Sequence, residues 1–214
     1  MKKCILLILL VLIVTTGCTN INNNTIENII NKKTKLNYKN KVYNVYHPGY
    51  EYYMPKGLSV KNVNEMNEII TSNKYTYYLY VDLVSIYNDT QIAYEEESNL
   101  YKSLKIKYKD LTGYLKIKEL NNDYLVEIMY NYAKIEVIVE ESDINKTINN
   151  CMTILSTIKY NKSIIENLMQ DNLLNYKDET LDLFDKVTKE DNFIKYEQDY
   201  DDYESKIPDF DIIN

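Results

Sequence analysis

The sequence predicts an α+β fold, an antiparallel sheet of about five to seven strands flanked by helices. Two observations carry that expectation. Short strand-like runs punctuated by Pro, Gly and Asn turns recur between residues 41 and 139, closing in a meander. Helical apolar spacing shows in two places, residues 62–70 and residues 142–158.

Taken in order, Val42 to Tyr46 reads as a strand stopped by the turn His47-Pro48-Gly49. Tyr50 to Met54 follows and ends at Pro55-Lys56-Gly57. Val63, Met66, Ile69 and Ile70 then recur at helical spacing, with Asn62 placed to cap. Tyr75 to Tyr87 is aromatic and β-branched, and reads as the longest strand, central and covered on both faces. In the meander, Leu104, Ile106 and Tyr108 alternate with lysines, and so do Leu115 and Ile117. Such lysines suit a solvated sheet face or a defended edge. Asn121-Asn122-Asp123 turns the chain into Tyr124 to Tyr130, and Ala133 to Val139 completes the sheet. Ser142-Asp143 is placed to cap a last helix, whose apolar stripe runs through Ile144, Ile148, Cys151, Met152, Leu155 and Ile158.

The stretch Tyr46-His47-Pro48-Gly49-Tyr50 through Met54-Pro55-Lys56-Gly57, with the closing amphipathic helix, resembles PsbP-like domains. The likeness spans roughly residues 41–161. It implies an antiparallel sheet flanked by helices, in a fold used for docking onto partners and tied to no one catalytic activity. It carries over no functional residue.

Outside that body the composition changes. Residues 1–17 are read as a signal peptide: Met1-Lys2-Lys3 is basic, and Ile5 to Val14 is an unbroken run of ten apolar residues. A helix of that length covers only about 15 Å, half of a hydrocarbon core of about 30 Å, so it is too short for a permanent span. Thr15-Thr16-Gly17-Cys18 follows, and resembles the lipobox of bacterial lipoproteins. That resemblance implies lipidation of Cys18 and cleavage between Gly17 and Cys18. Thr15 departs from the usual Leu or Val. Lipid on Cys18 would hold the chain on the extracytoplasmic face of the cell membrane. Residues 18–40, rich in Asn and Lys, are expected to be a flexible tether with an r.m.s. span of about 26 Å. Residues 162–214 read as a helix and then an acidic tail, with 5 Lys against 14 acidic side chains in 171–214. That tail is too poor in apolar surface to offset its ordering entropy.

Charge bounds the partners. Residues 18–170 carry no net charge, 18 Lys against 18 acidic side chains, and show no basic stripe, which argues against nucleic acid. With Cys4 removed and Cys18 acylated, Cys151 is the one thiol left, a small buried residue by expectation. There is a single histidine, His47, and it sits in a turn. No nucleophile elbow, P-loop or zinc motif is present, so no catalytic residue is assigned and no cofactor or metal is expected. Glu95-Glu96-Glu97 and Glu140-Glu141-Ser142-Asp143 lack the spaced oxygen ligands of a calcium loop and read as solvated charge.

Tyrosine is the unusual component, 23 in all. Tyr75, Tyr77, Tyr78 and Tyr80 form a candidate partner surface, although A/T-rich codons also raise the tyrosine count. The expected role is therefore a membrane-anchored, non-enzymatic binding module for a protein or envelope polymer. An accessory subunit of a transport or secretion complex is the alternative, and an envelope hydrolase a weaker one.

Overall fold

The computed structural model describes residues 23–35, 43–64, 66–90 and 94–170. The fold is α+β, as the sequence predicts. Helix α1 spans Asn23–Thr34, followed by strands β1 (Val45–His47), β2 (Tyr50–Tyr52), β3 (Ser59–Asn64), β4 (Asn67–Thr71) and β5 (Thr76–Val81). A short helix α2 (Leu83–Tyr87) precedes β6 (Lys102–Tyr108), β7 (Leu111–Leu120), β8 (Asp123–Tyr130) and β9 (Ala133–Val139). Helix α3 (Ile144–Thr157), strand β10 (Lys159–Tyr160) and helix α4 (Lys162–Gln170) close it. Two sheets form, one of seven strands in the order β3-β4-β5-β9-β8-β7-β6 and one of three, β1-β2-β10. Every pairing is antiparallel.

Alternation places the core. Tyr77, Leu79 and Val81 of β5 point to one face of the large sheet, together with Ile135, Val137 and Val139 of β9, and all are buried. The same face takes Val126, Ile128, Leu115 and Ile117 from the meander. Helix α3 lies on this face against β8 and β9, offering Ile144, Ile148, Cys151, Met152 and Leu155, each fully buried. Burial raises the Cys151 thiol well above its ordinary value, which keeps it protonated and inert. The β8–β9 turn is locked to α3 through buried Asn131, which has positive φ. Its amide donates to the carbonyls of Leu155 (3.3 Å) and Ile158 (2.9 Å), which the end of the helix leaves without an intrahelical partner.

Several expectations change. Residues 62–70 are no helix: β3 and β4 form a hairpin, with Asn67 opposite Asn64 and Asn62 inside β3. Spacing of three and four residues fits one face of a helix, but Val60, Val63, Ile69, Ile70 and Thr71 are β-branched and favour the pleated strand. The strand expected over Tyr75 to Tyr87 stops at Val81, and the longest strand is β7. Asp82 ends β5 by capping α2: its carboxylate accepts from the Ser85 N–H (2.9 Å) and hydroxyl (2.6 Å). β5 also alternates cleanly between buried and half-buried positions, so one of its faces is less covered than expected.

Asp143 stands at the N-cap position of α3 yet makes no side-chain cap bond. It accepts instead from the Tyr75 hydroxyl (2.6 Å) and the Lys74 ammonium (2.9 Å), which together hold its carboxyl below the usual range. Glu140 lies 2.9 Å from the same ammonium, so that acidic run clasps Lys74.

The expected tether contains α1. Ile26, Ile29 and Ile30 share one helical face, with Ile26 and Ile30 buried, and α1 lies on α3. Glu27 pairs with Lys102 (3.2 Å), and Lys33 donates to the Thr153 hydroxyl (2.6 Å). The far boundary moves too, since Ile165 and Met169 of α4 belong to the core. Residues 1–22 and 171–214, where the signal peptide, the lipidated Cys18 and the acidic tail are expected, lie outside the described residues.

Candidate functional site

Strands β1 and β2 are joined by Pro48-Gly49, and their register puts His47 opposite Tyr50. Proline fixes the first turn position and Gly49, at φ +90°, takes the second, the chemistry of a type II turn. A side chain at position 49 would be strained there and would also meet Ile165 Cγ1 at 3.1 Å, so glycine serves conformation and packing together.

Tyr50 and Tyr52 are two residues apart, so both rings leave the same face of β2. Both hydroxyls reach one carboxylate, that of Glu68 on β4. Tyr50 donates to Oε1 at 2.7 Å and Tyr52 to Oε2 at 2.6 Å. Glu68 is only 1% exposed, on the core face beside Ile70. His47 completes the cluster, with Nε2 3.2 Å from Glu68 Oε1, though outside hydrogen-bond alignment. Its ring stacks on Tyr50, centroids 4.8 Å apart, and Tyr50 lies nearly parallel to Tyr52. A buried carboxylate needs donors to replace water, and the two phenols supply them. The cluster fastens the three-stranded sheet to β4, the second strand of the seven-stranded one, and Glu68 itself is out of reach of a solute.

Burial raises the Tyr50 and Tyr52 phenols far above their ordinary value, and the Glu68 charge adds to the shift. Free tyrosine ionises near pH 10. The unfolded chain therefore loses these protons first, and the folded state keeps its full advantage only below about pH 10. Stability is expected to fall as pH rises beyond that point. In an alkaline titration the exposed phenols should ionise while the fold holds, and the last of the tyrosinate absorbance should appear only together with loss of circular dichroism. Complete tyrosine ionisation in a still-folded chain would contradict the burial argument.

Above the cluster opens a groove of about 620 Å³. It is lined by Tyr46, His47 and Tyr50 of the β1–β2 hairpin and by Tyr160, Lys162 and Ile164 from the end of β10 and the start of α4. Asn161 joins the two segments, its N–H donating to Gly49 O (2.8 Å) and its Oδ1 accepting from Ile164 N (3.3 Å), as a cap for α4. Tyr160 donates to Asn131 O (2.5 Å), tying the groove to the β8–β9 turn. Lys159 pairs with Glu51 at 2.7 Å, which holds its ammonium above the ordinary value. Five large hydrophobic side chains stay well exposed among the described residues, and two of them, Tyr46 (64%) and Ile164 (40%), line this groove.

The tyrosines singled out in the sequence do not converge. Tyr77 is buried in the core, Tyr78 and Tyr80 point to the opposite face of the large sheet, and Tyr75 is held by Asp143. No single partner surface unites the four. Of the groove tyrosines, Tyr46 and Tyr50 belong to the tyrosine-rich stretch 43–53 that precedes β5 in the sequence, whereas Tyr160 carried no signal. No group of three or more His, Cys, Asp or Glu is arranged to hold a metal among the described residues. No protein-family model matches the chain, and no curated protein matches it in sequence.

Proposed function

We propose that this chain is a lipoprotein, anchored through Cys18 to the extracytoplasmic face of the cell membrane, whose folded body is a non-enzymatic binding module for a protein or envelope polymer. The carrying observation for the address is the Thr-Thr-Gly-Cys junction directly after ten apolar residues. No described helix is long and apolar enough to cross a membrane. For binding, the support is the groove, which gathers exposed apolar and cationic side chains at one place. Glu68, buried and bound to the Tyr50 and Tyr52 hydroxyls, is out of reach of a solute. The order of turns in residues 46–57 and its likeness to PsbP-like domains agree with a docking role.

The address is tested by Cys18→Ala. The variant is expected in the soluble or released fraction, with no incorporation of labelled fatty acid, while the parent stays with membranes. Membrane-bound variant protein that still carries label would refute the anchor.

A further inference from the structure

We propose that the groove between β1 and α4 binds a short acidic peptide segment that carries an apolar side chain. The proposal rests on reading the body as a binding module and assigns that module its site and ligand chemistry.

Three observations converge. First, Tyr46 and Ile164 are both well exposed and both line the groove, although they come from different elements, β1 and α4. Isolated surface hydrophobics are ordinary, but a pair flanking a groove of ligand size is the arrangement of an interface anchor. Second, the charge along the groove is unbalanced: Glu51 offsets Lys159, while Lys162 has no acidic partner in the groove lining. Third, Lys162 is the first residue of α4, so its cation adds to the positive end of a nine-residue helix opening on the same side. A carboxylate set beside an apolar side chain satisfies all three. A neutral sugar would leave Lys162 without a counter-charge and Ile164 against hydroxyls. The floor is already built, because Asn161, Gly49 and Tyr160 are fixed by bonds within the protein.

The test uses the full chain in detergent micelles, so that its result does not depend on acylation of Cys18. The probe is a labelled peptide alternating aspartate with isoleucine and tyrosine, with an Asn-for-Asp copy as control, read by fluorescence anisotropy. The acidic peptide should bind at least about tenfold tighter than its amide copy, and should weaken as salt rises. Lys162→Gln should cost about threefold to fivefold in Kd. Tyr46→Ala should cost about tenfold or more, as removal of an aromatic anchor does. Both residues are outside the core, and Ile164→Asp serves as a further variant that should abolish binding by repulsion. Equal affinity for the two peptides, or an unchanged Kd in these variants, overturns the proposal. Capture of a partner that depends on Tyr46 but is not displaced by the acidic peptide would also overturn it, while leaving the binding-module reading standing.

Discussion

A fragment of residues 41–161 is expected to show no cooperative unfolding, whereas residues 23–170 unfold in a single transition. The strand and turn signals all fall within 41–161, but the core does not. Ile26 and Ile30 reach it from α1, and Ile165 and Met169 from α4, each less than a tenth exposed. Burying one such side chain contributes about 1.5–3 kcal/mol. Four together contribute about 6–12 kcal/mol, an upper figure because unfolded chains already bury some apolar surface. The whole stability of a domain is only about 5–15 kcal/mol. Trimming both helices therefore removes an amount comparable to everything that holds the fold, and it also bares the side of α3 that α1 covers. Urea denaturation followed by circular dichroism decides the matter. A shared midpoint for the two fragments would show that α1 and α4 are dispensable.

Glu68→Ala is expected to be the most damaging single substitution in the cluster, at about 3–5 kcal/mol. Removing the carboxylate strands two buried phenol hydroxyls, at about 1–3 kcal/mol each, and leaves a small cavity. Tyr50→Phe and Tyr52→Phe should each cost about 1.5–3 kcal/mol, the worth of a hydrogen bond to a charged group. The decisive comparison is the double-mutant cycle. Once Glu68 is alanine, Tyr52→Phe should cost almost nothing, because the hydroxyl it removes has already lost its acceptor. Additive losses would mean that the phenols act through packing alone.

The sequence made the meander legible because its strands alternate by two and because Asn, which tolerates positive φ well, stands in two of its turns at Asn121 and Asn131, although Lys109 and Tyr132 take the same backbone region. Helix α3 was legible for the parallel reason, a stripe of six apolar residues that is buried throughout. Helix α1 was hidden by its polar surroundings: asparagines and lysines mask three isoleucines whose spacing is nonetheless helical. The β3–β4 hairpin was hidden by Glu68 itself, a charge at an inward position where alternation calls for an apolar residue. The site was not legible at all. Glu68 meets phenols 16 and 18 residues earlier in the chain, on a different sheet, and only the packing of the two sheets brings them together. The nearest signal was the i, i+2 pair of tyrosines after the Pro-Gly turn.

The docking of α1 onto α3 also sets a length. If Cys18 carries lipid as proposed, only five residue steps separate it from Asn23, where the folded body begins. At no more than about 3.3–3.6 Å per residue, that leash cannot exceed about 18 Å. A free chain to residue 40 would have let the body range farther and in every direction. With that anchor, the short leash would confine the body to a thin layer over the headgroups, where encounters with other membrane residents are nearly two-dimensional. Within that layer a partner in the same bilayer meets the groove at a high effective concentration, as linked modules do, so even a weak intrinsic affinity suffices for occupancy. A polymer strand far out in the envelope gains nothing from this arrangement. Under the proposed anchor and groove ligand, the search for partners would be weighted toward integral membrane proteins with acidic extracytoplasmic segments.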